Sequence, residues 1–288
     1  MTEPWTVLRL IRTGTEWLEE RGVESARLDT EHLLAHALDT DRLQLYLQYD
    51  RPLTPEELAA FRPLLRRRGA REPLQYITGR GAFRELDLQV DPRVLIPRPE
   101  TEVLVQVVLD RVAGETDLEA LDLGTGSGCI GLSLLVEGPF ARVVATDPSR
   151  DALDVAACNA RAVGPAAERF ELRQGAGFDP IAPGETFDVI VSNPPYVALA
   201  DAESLQPEVR DWEPSGALFA GAEGFDVLDL LAASAADRLR PGGWLFVEVG
   251  AGQTDPFAAR LDASGRFRAA SIHRDLSGRP RIVAARIA

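Results

Sequence analysis

Lysine is absent from this 288-residue chain, and cysteine is rare. The two cysteines, Cys129 and Cys158, form no C-x-x-C motif and there is no second cysteine pair, which fits a reducing compartment without a disulfide framework. No apolar run approaches the roughly 18 residues of a membrane helix, and residues 1–4 do not begin a basic, apolar leader. We therefore expect a cytoplasmic protein that neither spans a membrane nor is exported.

Positive charge is also in deficit. Aspartate and glutamate total 45 against 31 basic residues, which gives a formal net charge of −14. A phosphate backbone would repel such a chain, so nucleic-acid binding, including direct DNA binding, is disfavoured. Hydrophobic residues make up 45% and charged residues 26% of the chain, the balance of a soluble globular protein, and its length predicts two domains.

The patterning changes along the chain. Apolar residues recur at helical spacing from residue 5 to about 72, and Thr54-Pro55-Glu56-Glu57 is typical of a capping box at a helix start. Between residues 76 and 90, apolar and polar residues roughly alternate and glycines interrupt the pattern, which is typical of a β-hairpin. The predicted division is a helical domain at residues 1–73, a β-hairpin linker at 74–95 and a third domain at 96–288.

Apolar runs alternate with helical patterns through the third domain, which predicts a mostly parallel sheet with helices on both faces. The runs that predict its strands lie at residues 119–123, 142–146, 169–173, 187–192 and 243–249. Two further runs, at 266–272 and 280–287, have a connection too short for a crossover, so they predict an antiparallel hairpin at the sheet edge. The expected fold class is α/β and Rossmann-like.

A glycine-rich loop follows the first of these strands and precedes a helix. Glycines there let backbone N–H groups and the helix start approach a ligand closely. The candidate cofactor-binding residues of the loop are Gly124, Thr125, Gly126, Ser127 and Gly128. Asp147 ends the next apolar run, about 20 residues further on, where a carboxylate can accept hydrogen bonds from ribose hydroxyls. Together they predict an adenosine-containing cofactor, although residues 126–131 also satisfy the dinucleotide fingerprint G-x-G-x-x-G.

The tetrapeptide Asn193-Pro194-Pro195-Tyr196 distinguishes a site for a methyl donor from a site for a dinucleotide. It follows the predicted strand 187–192, at the edge where doubly wound sheets bind their ligands. The prolines fix φ and leave backbone carbonyls as acceptors beside the Asn193 side-chain oxygen, and Tyr196 offers a flat face. Two acceptors can hold a planar, amide-type NH2 in line with a sulfonium methyl. We therefore predict a class I S-adenosylmethionine-dependent methyltransferase.

Further segments have recognisable patterns. They are Ala-Arg-Leu-Asp-Thr-Glu-His-Leu-Leu-Ala at 26–35, Glu-Pro-Leu-Gln-Tyr-Ile-Thr-Gly at 72–79, Leu-Ile-Pro-Arg-Pro-Glu-Thr-Glu at 95–102, Trp212-Glu213-Pro214 with Ala217-Leu218, and Pro241-Gly242-Gly243 before Glu248. With the two motifs, they resemble, almost from end to end, the glutamine N5-methyltransferases that act on class I peptide chain release factors, the HemK or PrmC family.

This resemblance implies that residues 124–128 and Asp147 bind S-adenosylmethionine. It also implies that Asn193, Pro194, Pro195 and Tyr196 bind the glutamine of a Gly-Gly-Gln motif. Asn193, Pro194 and Tyr196 would be catalytic, Asn193 would contact both ligands, and Phe178 would lie near the adenine. Ala176 stands where the family usually has an aspartate, so a polar contact to the adenine would be missing. The helical domain would recognise the release factor, and a monomer is expected.

Other functions remain open on the residues alone. A glutamine methyltransferase for a ribosomal protein would share both motifs, and an adenine-N6 DNA methyltransferase would use the same tetrapeptide on a flipped base, although the acidic chain disfavours DNA. A non-catalytic S-adenosylmethionine-binding or ribosome-associated module would not need the intact tetrapeptide. An NAD-dependent oxidoreductase has no use for it.

Two further clusters receive a structural interpretation. The arginines at the end of the helical domain are expected to form a solvated helix end near the favourable pole of the helix dipole. They are Arg62, Arg66, Arg67, Arg68 and Arg71. His32 and His36 have helical i, i+4 spacing without accompanying acidic or cysteine ligands, so no metal site is predicted.

Overall fold

The structure is a computed structural model that describes residues 4–268 and 270–288. Residues 1–3, where the predicted helical domain begins, and Ala269, within the predicted strand 266–272, lie outside the described residues. The chain forms two compact units. The helical unit comprises the chain up to Gly79 together with Gln206–Trp212, and the sheet unit comprises Arg80–Leu205 and Glu213–Ala288.

The helices and strands of the described residues have the following bounds. The helices are α1 Val7–Glu19, α2 Ala26–Ala37, α3 Arg42–Leu47, α4 Pro55–Gly69, α5 Leu74–Thr78, α6 Pro99–Arg111, α7 Cys129–Glu137, α8 Arg150–Val163, α9 Pro207–Arg210, α10 Ser215–Leu218, α11 Asp226–Ser234 and α12 Thr254–Ala263. The strands are β1 Arg80–Phe83, β2 Leu86–Gln89, β3 Leu118–Leu123, β4 Phe140–Asp147, β5 Phe170–Gln174, β6 Phe187–Ser192, β7 Leu239–Glu248, β8 Ser271–Arg274 and β9 Pro280–Arg286.

The helical unit is built from α1 to α5 with the short α9. The predicted capping box starts α4: the Thr54 hydroxyl accepts from the Glu57 N–H at 3.2 Å, and the Glu57 carboxylate accepts from the Thr54 N–H at 2.8 Å. Leu33, Leu34 and Phe61 are fully buried at the centre of its core. These two bonds confirm the predicted capping box. It could be predicted because its sequence signal is entirely local.

The interpretation of the arginine cluster as a solvated helix end is wrong for part of it. Arg68 is buried and donates to the Asp29 carboxylate at 2.7 Å and to Glu208 at 2.9 Å. Arg71 also pairs with Glu208, at 2.6 Å, and Arg67 pairs with Glu72. Arg68 and Arg71 meet carboxylates from distant positions of the helical unit, which spacing along one helix does not reveal. Arg62, Arg66 and Arg67 are exposed, as expected.

The strand predictions of the third domain are confirmed within about four residues, except that the run predicted at 266–272 overlaps the observed β8, Ser271–Arg274, only at its end. The main sheet has the order β5-β4-β3-β6-β7-β9-β8, and the five strands from β5 to β7 in that order are parallel. The antiparallel hairpin is formed by β8 and β9, with β9 paired to β7 and β8 at the edge. After β5 the chain returns to the other side of β3, so the reversal of strand order falls beside β3, where such sheets bind ligands.

Two hydrophobic clusters cover the two faces of this sheet. Alternate residues of a strand enter different clusters: Val189 and Val191 join the cluster built with α6, α7 and α8, whereas Ile190 joins the cluster built with α11 and α12. The sheet is therefore buried on both sides, as the continuous apolar runs predicted. No helix of the described residues is long and apolar enough to cross a membrane.

The predicted linker contains both a helix and a hairpin. Residues 74–78 form α5, and the antiparallel pair β1 and β2 follows immediately. The boundary between the helical unit and the sheet unit lies between Gly79 and Arg80, a few residues after the predicted end of the helical domain at residue 73. The assignment of substrate recognition to the helical domain stays a prediction.

Candidate active site

The glycine-rich loop leaves the carboxyl end of β3 in a conformation that requires its glycines. Gly124, Gly126 and Gly128 have φ values of 78°, 55° and 85°, a region that side chains with a Cβ rarely adopt. A Cβ built at Gly124 or Gly126 would meet no atom of the described residues within 4 Å. The loop therefore presents open space beside its backbone, as the predicted cofactor site requires.

Asp122 holds this loop through two hydrogen bonds, a role that the sequence reasoning missed. Its Oδ2 accepts from the Thr125 hydroxyl at 2.6 Å and from the Gly131 N–H at 3.0 Å, which ties the loop to the start of α7. Complete burial raises the pKa of Asp122 to about 6. Its Oδ1 is buried without a hydrogen-bond partner among the described residues.

Asp147 lies at the end of β4, beside the loop. Its Oδ2 accepts from the Gly126 N–H at 3.0 Å, and its Oδ1 accepts from the Ser149 N–H at 2.8 Å. A carboxylate has about four acceptor positions, so capacity remains for ligand hydroxyls. Burial raises the pKa of Asp147 above its usual value. The structure thus brings the two parts of the predicted cofactor site together.

Asn159 on α8 connects the loop to the β-hairpin. Its Nδ2 donates to the carbonyl of Ser127 at 2.8 Å and to that of Gln89 at 3.1 Å, and its Oδ1 accepts from the Gln89 N–H at 2.7 Å. The side chain is almost fully buried, so these bonds are shielded from water. No local pattern around Asn159 indicates this role, because its partners lie far away in the chain.

The tetrapeptide begins directly after β6. The Ser192 hydroxyl donates to the Leu123 carbonyl at 2.7 Å, which joins the carboxyl ends of β6 and β3. Asn193 is half-buried and Pro194 is buried, so the chain leaves the strand in a fixed path. The tetrapeptide and the glycine-rich loop therefore start from neighbouring strands at the same edge of the sheet.

Gln253 anchors the other end of the tetrapeptide. Its Nε2 donates to the carbonyls of Tyr196 at 3.1 Å and Gly224 at 3.0 Å, and its Oε1 accepts from the Gly250 N–H at 2.8 Å. A Cβ at Gly224 would collide with the Tyr196 carbonyl oxygen, so glycine is required for this close approach. Burial raises the pKa of the Tyr196 phenol to about 12, so the phenol is neutral near pH 7. Gln253 is a third residue, after Asp122 and Asn159, that the sequence reasoning missed.

The Asn193 side chain is itself held by two buried residues. Its Nδ2 donates to the Thr101 hydroxyl at 3.0 Å, and that hydroxyl donates to Glu248 Oε2 at 2.8 Å. Thr101 and Glu248 are each 2% exposed. Burial raises the pKa of Glu248 to about 7. Both residues lie in segments with recognisable patterns, at 95–102 and after Pro241-Gly242-Gly243, but those patterns do not indicate their contact.

Phe178 lies in the hydrophobic core of the sheet unit. It belongs to the cluster that contains Ile181 and Phe187, and it is 8% exposed. This burial is typical of a packing residue, and a contact of Phe178 with adenine stays a prediction. Ala176 lines a cavity of about 430 Å³ together with Leu230 and others.

No group of three or more potential metal ligands occurs among the described histidine, cysteine, aspartate and glutamate side chains. His32 is half-buried and His36 is exposed on α2. Burial lowers the pKa of His32, which favours its neutral form near pH 7.

The fold of the sheet unit is similar to that of known proteins. A solved methyltransferase from Pyrococcus furiosus matches 70% of this chain and 89% of its own chain with a TM-score of 0.52, at 18% identity. The model of the methyltransferase small domain family matches residues 99–206. The sheet unit therefore has the class I methyltransferase fold.

Relatives extend the comparison to the whole chain. The model of the PrmC N-terminal domain matches residues 9–79. The release factor glutamine methyltransferase of Geobacter sulfurreducens is 45% identical over 99% of this chain and 98% of its own length. That of Cereibacter sphaeroides is 43% identical over 96% of this chain and 97% of its own length. This chain belongs to the release factor glutamine methyltransferase family, as its motifs predicted.

Proposed function

We propose that this protein transfers a methyl group from S-adenosylmethionine to the side-chain amide nitrogen of the glutamine in the Gly-Gly-Gln motif of class I release factors. The observation that carries the proposal is the hydrogen-bonded Asn193. Its Nδ2 is engaged by Thr101, which leaves Oδ1 to accept from a ligand. Asn193 directly follows β6, and β6 pairs with β3, the strand that leads into the glycine-rich loop. Family membership supports the same reaction.

The residues present fit the cofactor. The open space beside Gly124 and Gly126 admits a ligand against the backbone, and Asp147 retains acceptor capacity for ribose hydroxyls. The residues proposed to hold S-adenosylmethionine are Gly124, Thr125, Gly126, Ser127, Gly128, Asp147 and Asn193. When bound, S-adenosylmethionine supplies an electrophilic methyl group whose C–S electron pair stays with sulfur as the bond breaks.

The tetrapeptide is proposed to hold the substrate amide. Asn193 Oδ1 accepts one N–H and the Pro194 carbonyl accepts the other, so the nitrogen lone pair faces the methyl group and forms the new C–N bond. The nitrogen then releases one proton to solvent, and an N-methyl amide remains. Such positioning can supply about 7–11 kcal/mol of the barrier. Pro195 and Tyr196 complete the substrate contacts.

The same two acceptors select for an amide. A glutamate carboxylate has no N–H to donate, so it would leave both acceptors unpaired or would be repelled by them. This explains why a glutamine, rather than an acidic residue, is the proposed target. The expectations of a cytoplasmic monomer stay predictions.

The test is transfer of a labelled methyl group to a purified class I release factor. The matched substrate carries alanine in place of the glutamine of Gly-Gly-Gln. Label that is incorporated into the first protein and lost with the glutamine supports the proposal. Label that is absent from both factors but present on a ribosomal protein or on DNA would move the function to that substrate.

A further inference from the structure

The chain of hydrogen bonds from Asn193 to Thr101 to Glu248 lies behind the proposed substrate acceptor. Its three residues come from different parts of the fold: Asn193 directly follows β6, Thr101 lies in the first turn of α6, and Glu248 ends β7. The parallel register of β6 and β7 pairs Ser192 with Val247, so the next residues, Asn193 and Glu248, lie side by side at the edge of the sheet. Thr101 bridges them through its single hydroxyl.

The direction of these hydrogen bonds follows from the chemical groups. Above its pKa of about 7, Glu248 is ionised and can only accept, so it requires the Thr101 hydroxyl to donate to it. A hydroxyl has one proton, and Thr101 must therefore act as acceptor toward Asn193. Only the NH2 of the Asn193 amide can donate to that acceptor. The amide is thereby oriented with Nδ2 inward and Oδ1 free for a ligand.

We propose that Thr101 and Glu248 are positioning residues that fix the orientation of the Asn193 amide, and thereby make the site an acceptor selective for a glutamine NH2 over a carboxylate. This inference rests on the proposed function. It extends that function because it locates the origin of amide selectivity in two buried side chains that do not touch the substrate.

Burial explains why two such residues are effective. Thr101 and Glu248 are each 2% exposed, so water does not compete for the bonds between them. Without this support, an asparagine amide could turn by about 180° and present its NH2 to the substrate. Two NH2 groups would then face each other, and the substrate amide would lose an acceptor.

Three substitutions separate the alternatives. Thr101→Val removes the hydroxyl at nearly constant shape, and Thr101→Ser retains it. Glu248→Gln replaces an acceptor by an amide that can also donate, so the direction of the bonds is no longer imposed. The matched control is Ser133→Ala, which deletes a buried hydroxyl that has no hydrogen-bond partner within the described part of the chain.

Two measurements are made at pH 8. The first is the single-turnover rate of methyl transfer to a Gly-Gly-Gln release factor. The second is calorimetric binding of release factors carrying Gly-Gly-Gln or Gly-Gly-Glu, with S-adenosylhomocysteine present, because this readout does not depend on turnover. Affinity for S-adenosylmethionine and circular dichroism are recorded for each variant.

We expect Thr101→Val to lower the transfer rate about 10- to 100-fold, the range found for residues that orient the ligands of metal sites. Its preference for glutamine over glutamate in binding should shrink, while affinity for S-adenosylmethionine changes much less than the transfer rate. Thr101→Ser should recover most of the rate, Glu248→Gln should show a smaller loss of rate and of preference, and Ser133→Ala should match the wild type.

The outcomes distinguish the two proposals. A wild-type enzyme that fails to methylate the Gly-Gly-Gln factor overturns the proposed function and this inference with it. Wild-type transfer combined with an unchanged rate and preference in Thr101→Val overturns the positioning role alone, as does a Thr101→Ser variant as slow as Thr101→Val. If Thr101→Val does not fold, Glu248→Gln decides in the same way: retained preference contradicts the inference, and reduced preference supports it.

Discussion

Replacing Glu248 by glutamine should change the pH dependence of stability in a defined direction. Burial raises the pKa of this carboxyl from 4.5 to about 7 in the folded protein. Glutamine has nearly the same shape and can still accept the hydrogen bond of Thr101, but it does not ionise. The substitution therefore removes one buried titration with little change in packing.

The sign follows from the direction of the shift. The folded protein binds the Glu248 proton more tightly than the unfolded chain does. The contribution of this group to stability is therefore fully present below pH 4.5 and is lost as the pH rises through about 7. One pKa unit corresponds to about 1.4 kcal/mol, so the loss amounts to about 3 kcal/mol. Relative to the wild type, Glu248→Gln should gain stability by that amount between pH 4.5 and pH 8.

The assay is urea unfolding followed by circular dichroism at several pH values across this range. The quantity of interest is the difference in the free energy of unfolding between variant and wild type at each pH, because other titrating groups cancel in that difference. Glu223→Gln, at an exposed position, is the matched control for removal of one negative charge. A difference for Glu248→Gln that stays constant from pH 4.5 to pH 8 would refute the reasoning.

Three further predictions concern the site and the helical unit. Asn193→Ala should still bind S-adenosylmethionine but slow single-turnover methylation by about 10²- to 10³-fold, as expected for loss of one polar contact in the transition state. Near-wild-type turnover would contradict its role. Asp147→Ala should weaken cofactor binding by roughly 10- to 100-fold, because it removes a charged acceptor and the bond to Gly126. Unchanged affinity in calorimetry would contradict this assignment. Arg68→Met should lower the free energy of unfolding by about 3 kcal/mol, because it leaves the buried Asp29 carboxylate unpaired. An unchanged thermal unfolding temperature would show that this ion pair is dispensable.

Features whose signal is local were predictable from the sequence. The capping box at Thr54 depends on residues three positions apart, and the strands depend on short apolar runs. The glycine-rich loop and the tetrapeptide each encode a backbone conformation in consecutive residues. Because parallel strands in a doubly wound sheet expose their carboxyl ends at one edge, the sequence also predicted that these two motifs would lie at that edge.

The sequence by itself determined the fold class, the family and the residues proposed to meet the ligands. Only the tertiary structure decided which side chains support them: Asn193 and Thr101 are 92 positions apart in the chain, and Thr101 and Glu248 are 147 apart. Arg68 and Asp29, 39 positions apart, likewise form a buried ion pair where a solvated helix end was expected. Periodicity reports which face of an element is buried, but it carries no information about which distant polar group lies opposite. That choice is made when the elements pack, because each buried donor or acceptor must then find its partner.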